Sequence, residues 1–139
     1  MYLLDTNVLS ETRRMHRADA AVWAWSQAVP ADLLYISAMT VLEIEQGVLR
    51  VERRDPQQAR LFANWLHKRI LPQFEGRILA FDTAAALRCA ALHVPDPRPE
   101  RDAMIAATAL VHSLTVVTRN TKDFASCGVG TLNPWLAAD

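Results

Sequence analysis

The sequence predicts a three-layer α/β/α fold, in which helices cover both faces of a mostly parallel sheet of four or five strands. Short apolar runs alternate with longer segments of helical periodicity, and strands that are joined through helices pair in parallel. No internal repeat and no Gly/Ser-rich linker divides the 139 residues, of which 51% are hydrophobic. A chain of this length and composition can bury one sizeable core. We therefore expect a single domain over residues 1–139.

The first half of the chain contains two apolar runs of strand length. Residues 2–4 form the first run, which stops at the polar segment 5–7, and this segment is typical of a loop. Residues 33–36 form the second run. Ser37 follows it directly and is placed to cap a helix over residues 38–50.

Acidic caps indicate two further helices in this half. Asp19 precedes a helical segment that carries two tryptophans, and Asp55 precedes Pro56, a residue favoured at the first helical position. The helix that starts at Pro56 has an apolar stripe at helical spacing, which faces either the core or a partner. The stripe consists of Leu61, Phe62, Trp65, Leu66 and Ile70.

The second half continues the alternation of strands and helices. A third strand is predicted over residues 78–81, and Asp82 or Thr83 caps the helix that follows it. Three prolines within residues 94–100 end this helix and predict a loop. After the loop we expect a helix from residue 101, a strand over 114–118 and an edge strand over 131–133.

The charges balance, with 15 Lys and Arg against 15 Asp and Glu. A neutral chain has no overall field that attracts nucleic acid or an anionic membrane, so such a partner has to be met by a local patch. No secretory signal pattern and no apolar run of about 20 residues is present, which predicts a cytoplasmic protein without a membrane span. The four histidines and two cysteines lack zinc-site spacing.

Four carboxylates stand where the predicted fold brings loops together. Asp5 ends the first strand, Asp102 opens the helix after the proline-rich loop, and Asp123 follows the strand over 114–118. Glu43 lies about two turns into the helix after the second strand. Sites in parallel sheets form beyond the carboxyl ends of the strands. Converging carboxylates repel one another unless a cation joins them, and oxygen ligands without His or Cys favour Mg²⁺ or Mn²⁺.

Simpler roles remain open for two of these positions. An aspartate at a helix start, such as Asp102, is often only a cap. On a helical wheel of about 100° per residue, Glu45 lies near the middle of the apolar arc and Glu43 points nearly opposite. Periodicity alone therefore favours Glu45 as the inward acid, and Glu43 faces a site only if both sides of its helix are covered.

Four short motifs follow one another along the chain. They are Leu3-Leu4-Asp5-Thr6-Asn7, Ser37-x-x-Thr40-x-x-Glu43-x-x-x-Gly47, Asp102-Ala103-Met104-Ile105-Ala106-Ala107-Thr108-Ala109 and Thr115-Val116-Val117-Thr118-Arg119-Asn120-x-x-Asp123-Phe124. In this order and over nearly the whole chain, they resemble the motifs of PIN-domain ribonucleases, in particular VapC-type toxins of bacterial toxin–antitoxin pairs and the similar FitB-like proteins.

The resemblance implies a PIN fold and an RNA endonuclease that depends on Mg²⁺ or Mn²⁺. It implies a catalytic, metal-binding cluster of Asp5, Glu43, Asp102 and Asp123, and thus selects Glu43 over Glu45. A metal held by these acids would lower the pKa of a bound water and polarise a phosphodiester oxygen.

The resemblance also implies supporting residues around the acids. These are Thr6, Asn7, Thr118 and Asn120, and Asn120 is in addition the alternative to Asp123 as the fourth site residue. The hydroxyls of Thr6 and Thr118 are expected to orient the carboxylates, although turn hydroxyls also bond to local backbone.

An RNA substrate has to approach this acidic site past cations. With the four acids set aside, 15 basic residues stand against 11 acidic ones. Basic residues beside the motifs are therefore candidates for RNA binding, and a solvated face is the alternative interpretation. The candidates are Arg13, Arg14, Arg101, Arg119 and Lys122.

A VapB-like antitoxin and a second copy of the chain are the protein partners that the resemblance implies. We expect the antitoxin in an apolar groove formed by the first capped helix and the stripe, and a homodimer through apolar helix surface. The groove residues are Trp23, Trp25, Leu61, Phe62 and Trp65. Two other functions are kept as alternatives: a receiver-like signalling module, and a catalytically inactive PIN scaffold that binds RNA or protein.

Overall fold

A five-stranded parallel sheet forms the centre of the computed structural model, which describes residues 1–14 and 16–136. The strands are Tyr2–Leu4 (β1), Leu34–Ser37 (β2), Ile78–Leu79 (β3), Thr115–Val117 (β4) and Thr131–Leu132 (β5). Their order is β3-β2-β1-β4-β5, and each neighbouring pair is parallel. The predicted parallel sheet is thus confirmed, with five strands.

Helices connect the strands. They are Thr6–Glu11 (α1), Ala20–Ala28 (α2), Ala38–Glu52 (α3), Pro56–Asn64 (α4), Leu71–Gln73 (α5), Thr83–Leu92 (α6), Glu100–Val111 (α7) and Thr121–Ala125 (α8). A π-helical segment, Trp65–Ile70, joins α4 to α5. Within the described residues, no helix has the length and apolarity needed to cross a membrane.

The side chains predicted as caps occupy the starts of the helices. Asp19, Ser37, Asp55 and Asp82 each accept a hydrogen bond from a backbone N–H in the first turn of the following helix. Such bonds satisfy donors that have no partner within the helix. Asp82, rather than Thr83, caps α6.

Two short helices differ from the predicted loops. The sequence predicts a loop over 5–7, but α1 begins at Thr6, whose backbone N–H donates to the Asp5 carboxylate. A polar segment after a strand can begin either a loop or a helix, because Asp and Thr favour both turns and caps. Helix α8, which carries Asp123, was not among the predicted helices.

The sheet separates two apolar cores, which confirms the three-layer arrangement. Leu4 and Val117 face a core with α1, α2, α3 and the π-helical segment, whereas Leu3 and Val116 face a core with α7 and α8. Successive residues of a strand point to opposite faces, so each central strand contributes to both cores. The carboxyl ends of β1, β2 and β4 therefore meet at one edge, where α1, α3 and α8 begin or approach.

Gly47 lets α4 pack closely against α3. A Cβ atom at this position would lie 3.2 Å from Cε2 of Phe62. Since few real contacts of a Cβ are so short, a side chain here would displace the Phe62 ring. The glycine of the second motif thus has a packing role.

Candidate active site at the carboxyl ends of the strands

Asp5 stands at the centre of the candidate site. Its backbone N–H donates to the Val117 carbonyl at 2.9 Å, which ties the residue to the end of β4. The residue is 6% exposed, and its carboxylate accepts from the Thr6 N–H at 2.8 Å, the Thr118 hydroxyl at 2.8 Å and the Asn7 amide at 3.3 Å. With three donors from two segments, the orientation of the carboxylate is fixed.

The surroundings of Asp5 oppose its negative charge. Burial raises the pKa of Asp5 above the ordinary aspartate value, and the charges of Glu43 and Asp123 raise it further. Hydrogen bonds from Thr118 and Thr6 act in the opposite direction. A buried carboxylate in the field of other carboxylates gains from a nearby cation.

Glu43, and not Glu45, faces Asp5. The Glu43 carboxylate accepts from the Thr6 hydroxyl at 2.8 Å, and the Arg101 guanidinium lies 3.9 Å from its other oxygen. Glu45 points to the other side of α3, where it contacts His67 at 3.2 Å. The helical wheel favoured Glu45 because it assumes one buried face, whereas α3 packs on both sides, against α4 and against α1 and α7.

Asp102 lies in the first turn of α7 and is partly buried. Burial raises its pKa, and the charges of Asp5 and Asp123 raise it further. The carboxylate is therefore close enough to Asp5 and Asp123 for their charges to repel.

Asp123 is exposed on α8, and Asn120 immediately precedes that helix. The Asp123 charge acts on both Asp5 and Asp102. Asn120 contributes through its backbone instead, because its N–H donates to the Thr118 hydroxyl at 3.0 Å. This difference favours Asp123 as the fourth acid and makes Asn120 a support for Thr118.

A chain of side-chain hydrogen bonds links the strand ends. The Thr6 hydroxyl lies 3.2 Å from the Thr40 hydroxyl, and Asn7 accepts from the Arg119 N–H at 3.3 Å. Thr40 is fully buried and was not among the predicted site residues, although it stands in the second motif three residues before Glu43. The place of this threonine in the second motif, about one turn before Glu43, was the available signal.

The predicted cations lie in two places. Arg101 lies beside Glu43, Lys122 is exposed on α8, and the Arg119 guanidinium lies 4.8 Å from the centre of the Trp135 ring. Arg13 and Arg14 follow the end of α1 and line cavities with α3 and α4.

The donor chemistry of the cluster fits a hard divalent cation. It offers carboxylate, hydroxyl and amide oxygens, and Mg²⁺ commonly uses one or two carboxylates and keeps several waters. Among the side chains of residues 1–14 and 16–136, no three His, Cys, Asp or Glu are already arranged to hold one ion directly. Direct binding of the cation by all four acids therefore stays a prediction. A cation near them would relieve the repulsion between their charges.

Sequence comparisons give the family. The PIN domain model matches residues 2–128. The VapC ribonuclease Y4jK of Sinorhizobium fredii is 36% identical over 97% of this chain and 98% of its own. The toxin FitB of Neisseria gonorrhoeae is 39% identical over 97% of this chain and 99% of its own.

A solved structure has the same fold at the same length. The crystal structure of FitAcB from Neisseria gonorrhoeae matches with a TM-score of 0.90 and 37% identity, over 99% of this chain and 100% of the matched chain. Nearly complete coverage on both sides leaves no large insertion or missing segment between them. The chain therefore belongs to the PIN-domain family and, within it, to the VapC- and FitB-type toxins.

Proposed function

We propose that this protein is an endoribonuclease of the PIN type that acts as the toxin of a toxin–antitoxin pair and depends on a divalent cation. The observation that carries the proposal is the group of carboxylates around buried Asp5, in which the charges of Glu43 and Asp123 raise the pKa of Asp5 and those of Asp5 and Asp123 raise the pKa of Asp102. Such a site is costly without a cation and suits phosphodiester hydrolysis with one. The relatives named as ribonuclease and toxin support this interpretation.

Asp5 and Asp102 are the residues that we expect to hold Mg²⁺ or Mn²⁺ directly. One oxygen of Asp5 accepts a single hydrogen bond, from Thr6 N–H, so it keeps a lone pair for a cation. Glu43 and Asp123 complete the site through water or by closer approach. A cation bound there supplies an activated water and neutralises phosphate charge.

The remaining side chains prepare this site. Thr118 and Asn7 hold one oxygen of Asp5, and Thr6 connects Asp5 with Glu43 through its backbone and its hydroxyl. Outer partners of this kind fix the orientation of ligands. Arg101 reduces the negative charge at Glu43, which eases the approach of an RNA phosphate.

Cation dependence is tested by cleavage of total RNA by the purified protein. We expect cleavage with Mg²⁺ or Mn²⁺, its loss in excess EDTA and its return when either cation is restored. Full cleavage in EDTA contradicts the metal mechanism. If the protein binds RNA but does not cleave it with either cation, it is the inactive scaffold. Labelling by acetyl phosphate in place of cleavage is the result expected of a receiver-like module.

An antitoxin is the proposed inhibitor. A relative from Klebsiella pneumoniae, 28% identical with a TM-score of 0.67, was solved as a toxin–antitoxin complex. The present chain has a cavity of about 110 Å³, with mixed polar and apolar lining, between α1, α2 and the π-helical segment. Trp23 and Trp65 line it, whereas Trp25 packs edge-on against Tyr2 at 5.3 Å. Of the five groove residues expected from the sequence, Trp25 therefore lies apart, and Leu61 and Phe62 line the two cavities beside α4 instead. A cavity of this size fits one anchoring side chain of an antitoxin segment.

Co-expression with the protein encoded immediately upstream tests this partner. We expect a complex that does not cleave RNA, and we expect Trp23→Ala to weaken the complex while Leu87→Ala, on α6, does not. Trp65 is 7% exposed, so a charge introduced there would disturb the core and is unsuitable. A complex that cleaves at the rate of the isolated protein contradicts the proposal.

A further inference from the structure

A groove lined by cations lies apart from the carboxylates. It consists of two adjoining cavities of about 350 and 440 Å³ between the end of α1, the end of α3 and one face of α4. Five basic residues line it, and we call it the basic groove. They are Arg13, Arg14, Arg54, Lys68 and Arg69.

Charge in the basic groove is not balanced by acids, although the whole chain has equal numbers of both. Asp55 is the acid in the lining, and it accepts the Gln58 N–H as the cap of α4. The ion pairs in the described part of the chain are Arg101 with Glu43 and His67 with Glu45, and neither involves the groove. The groove therefore presents net positive charge to a ligand.

Arg13 is held in place rather than extended into solvent. Its guanidinium lies 4.3 Å from the centre of the Phe62 ring, and Phe62 stacks on Trp65 at 6.1 Å. Burial lowers the pKa of Arg13, and the charge of Arg14 lowers it further. Two neighbouring guanidiniums, one of them ordered on an aromatic ring, repel each other until an anion joins them.

The position of the groove suits a ligand that also reaches the carboxylates. Val51, in the lining, follows Glu43 by eight residues on α3, which corresponds to about 12 Å along the helix. Helix α1 starts at the site and ends just before Arg13. A single strand of a few nucleotides spans such a distance.

We propose that the basic groove binds the phosphate backbone of the RNA substrate beyond the scissile bond; this inference rests on the proposed ribonuclease function. The five cations come from three segments and follow the groove, as the repeated charges of a phosphodiester chain require. Leu61 and Trp65 add apolar lining to the second cavity, but five cations against one acid favour a phosphodiester chain over a peptide segment.

Fluorescence anisotropy tests this assignment with the protein in EDTA, where no cleavage is expected. The probe is a fluorescein-labelled single-stranded RNA of about 12 nucleotides, within the range that such grooves hold. We expect the triple variant Arg54→Ala/Lys68→Ala/Arg69→Ala to raise the Kd at least about tenfold. Its slope of log K against log salt should fall by about 0.7 for each phosphate that the variant no longer neutralises.

Two controls accompany the triple variant. Arg60 lies on α4, between the segments of the triple variant, but lines a different cavity with Val48 and Ala63, so Arg60→Ala should bind RNA like the unaltered protein. Arg54→Lys/Arg69→Lys keeps the charges and should retain most of the salt slope. Circular dichroism and Tm establish that each variant is folded.

An unchanged Kd and salt slope in the triple variant overturn the proposal, as does equal weakening by Arg60→Ala. Binding of poly-glutamate with no binding of the RNA also overturns it and assigns the groove to an acidic protein segment. The proposed function is tested separately, by cleavage with Asp5→Asn. Unchanged cleavage by that variant contradicts the function, whatever the triple variant does to RNA binding.

Discussion

Asp5 combines three roles in one side chain. It caps α1 through the Thr6 N–H, joins β1 to β4 through Thr118, and adds a buried negative charge to the site. The first two roles stabilise the fold, whereas the third opposes it. Residues that work against local stability in this way are common where function requires them.

Glu43 and Glu45 form a matched pair for testing the site. Glu43 accepts from Thr6 and lies beside Arg101, while Glu45 contacts His67 on the other side of α3. We expect Glu43→Gln to lower the rate of RNA cleavage by about 100-fold or more, the size typical of a missing catalytic carboxylate, and Glu45→Gln to change it little. If Glu45→Gln lowers the rate more than Glu43→Gln does, Glu45 rather than Glu43 takes part in the reaction.

Asp102 gives a prediction on stability and pH. Its pKa is raised above the ordinary value of 3.8 by burial and by the charges of Asp5 and Asp123. A carboxyl with a raised pKa binds its proton more tightly in the folded protein, so stability is lost as the pH rises through that pKa. We expect Asp102→Asn to raise the Tm in EDTA by a few degrees at pH 7 and to have little effect near pH 3.5.

Thermal unfolding followed by circular dichroism across this pH range measures the effect. Asp96→Asn, in the exposed loop before α7, is the control and should leave the Tm unchanged at each pH. A Tm of Asp102→Asn that lies below that of the unaltered protein at pH 7 contradicts repulsion within the cluster.

At the scale of elements, the caps and apolar runs predicted most of the fold. The five strands and the starts of α2, α3, α4 and α6 were predicted from the sequence. Helix α1 was not, because its first residues are polar and its cap, Asp5, also belongs to the site. The π-helical segment has no distinct pattern, since its apolar residues continue the stripe of α4.

The site could be predicted only in part for a similar reason. A helical wheel assumes one buried face, and α3 has neighbours on two sides, so the wheel could not select Glu43. The basic groove combines residues near 13, 54 and 68, and their meeting depends on how α4 packs against α3. Pairwise packing of this kind is a tertiary property that local periodicity does not contain.

The substitution Ser37→Ala tests how much the cap of α3, the helix that carries Glu43, stabilises the protein. Ser37 is fully buried, and its hydroxyl accepts from the Met39 N–H at 3.0 Å. We expect Ser37→Ala to lower the free energy of unfolding by about 1–2 kcal/mol, because a buried N–H loses its partner. Asp55→Ala removes an exposed cap of α4 and should cost less. Urea denaturation measures both, and an equal or smaller loss in Ser37→Ala contradicts this role.

The whole molecule has no net formal charge, but its acidic and basic groups lie in separate places. Acidic groups gather at the strand ends, and the basic groove lies along α3 and α4. The separation suits a polyanion whose scissile phosphate meets a cation at the acids while its flanking phosphates meet arginine and lysine.

Exposed apolar residues on α6 suggest how two copies meet. Leu87 is 71% exposed and Val94, just after the helix, is 74% exposed, with Ala84 and Ala91 on the same side. We predict a homodimer with this surface at its interface, and light scattering should give about twice the 15.5 kDa of one chain.

Leu87→Arg should then yield the mass of one chain, whereas Leu136→Arg, which alters an equally exposed residue outside α6, should remain dimeric. A monomeric unaltered protein at micromolar concentration contradicts the dimer, and a dimeric Leu87→Arg contradicts the interface.

The most direct test of the central claim is the rate of RNA cleavage by Asp5→Asn and Asp102→Asn at saturating Mg²⁺ or Mn²⁺. Each substitution keeps the size of the side chain and removes one negative charge from the cluster. We predict that both variants fold, bind the labelled RNA like the unaltered protein and lose cleavage by at least about 100-fold. Folded variants that cleave RNA at the unaltered rate would show that these carboxylates do not carry out the reaction.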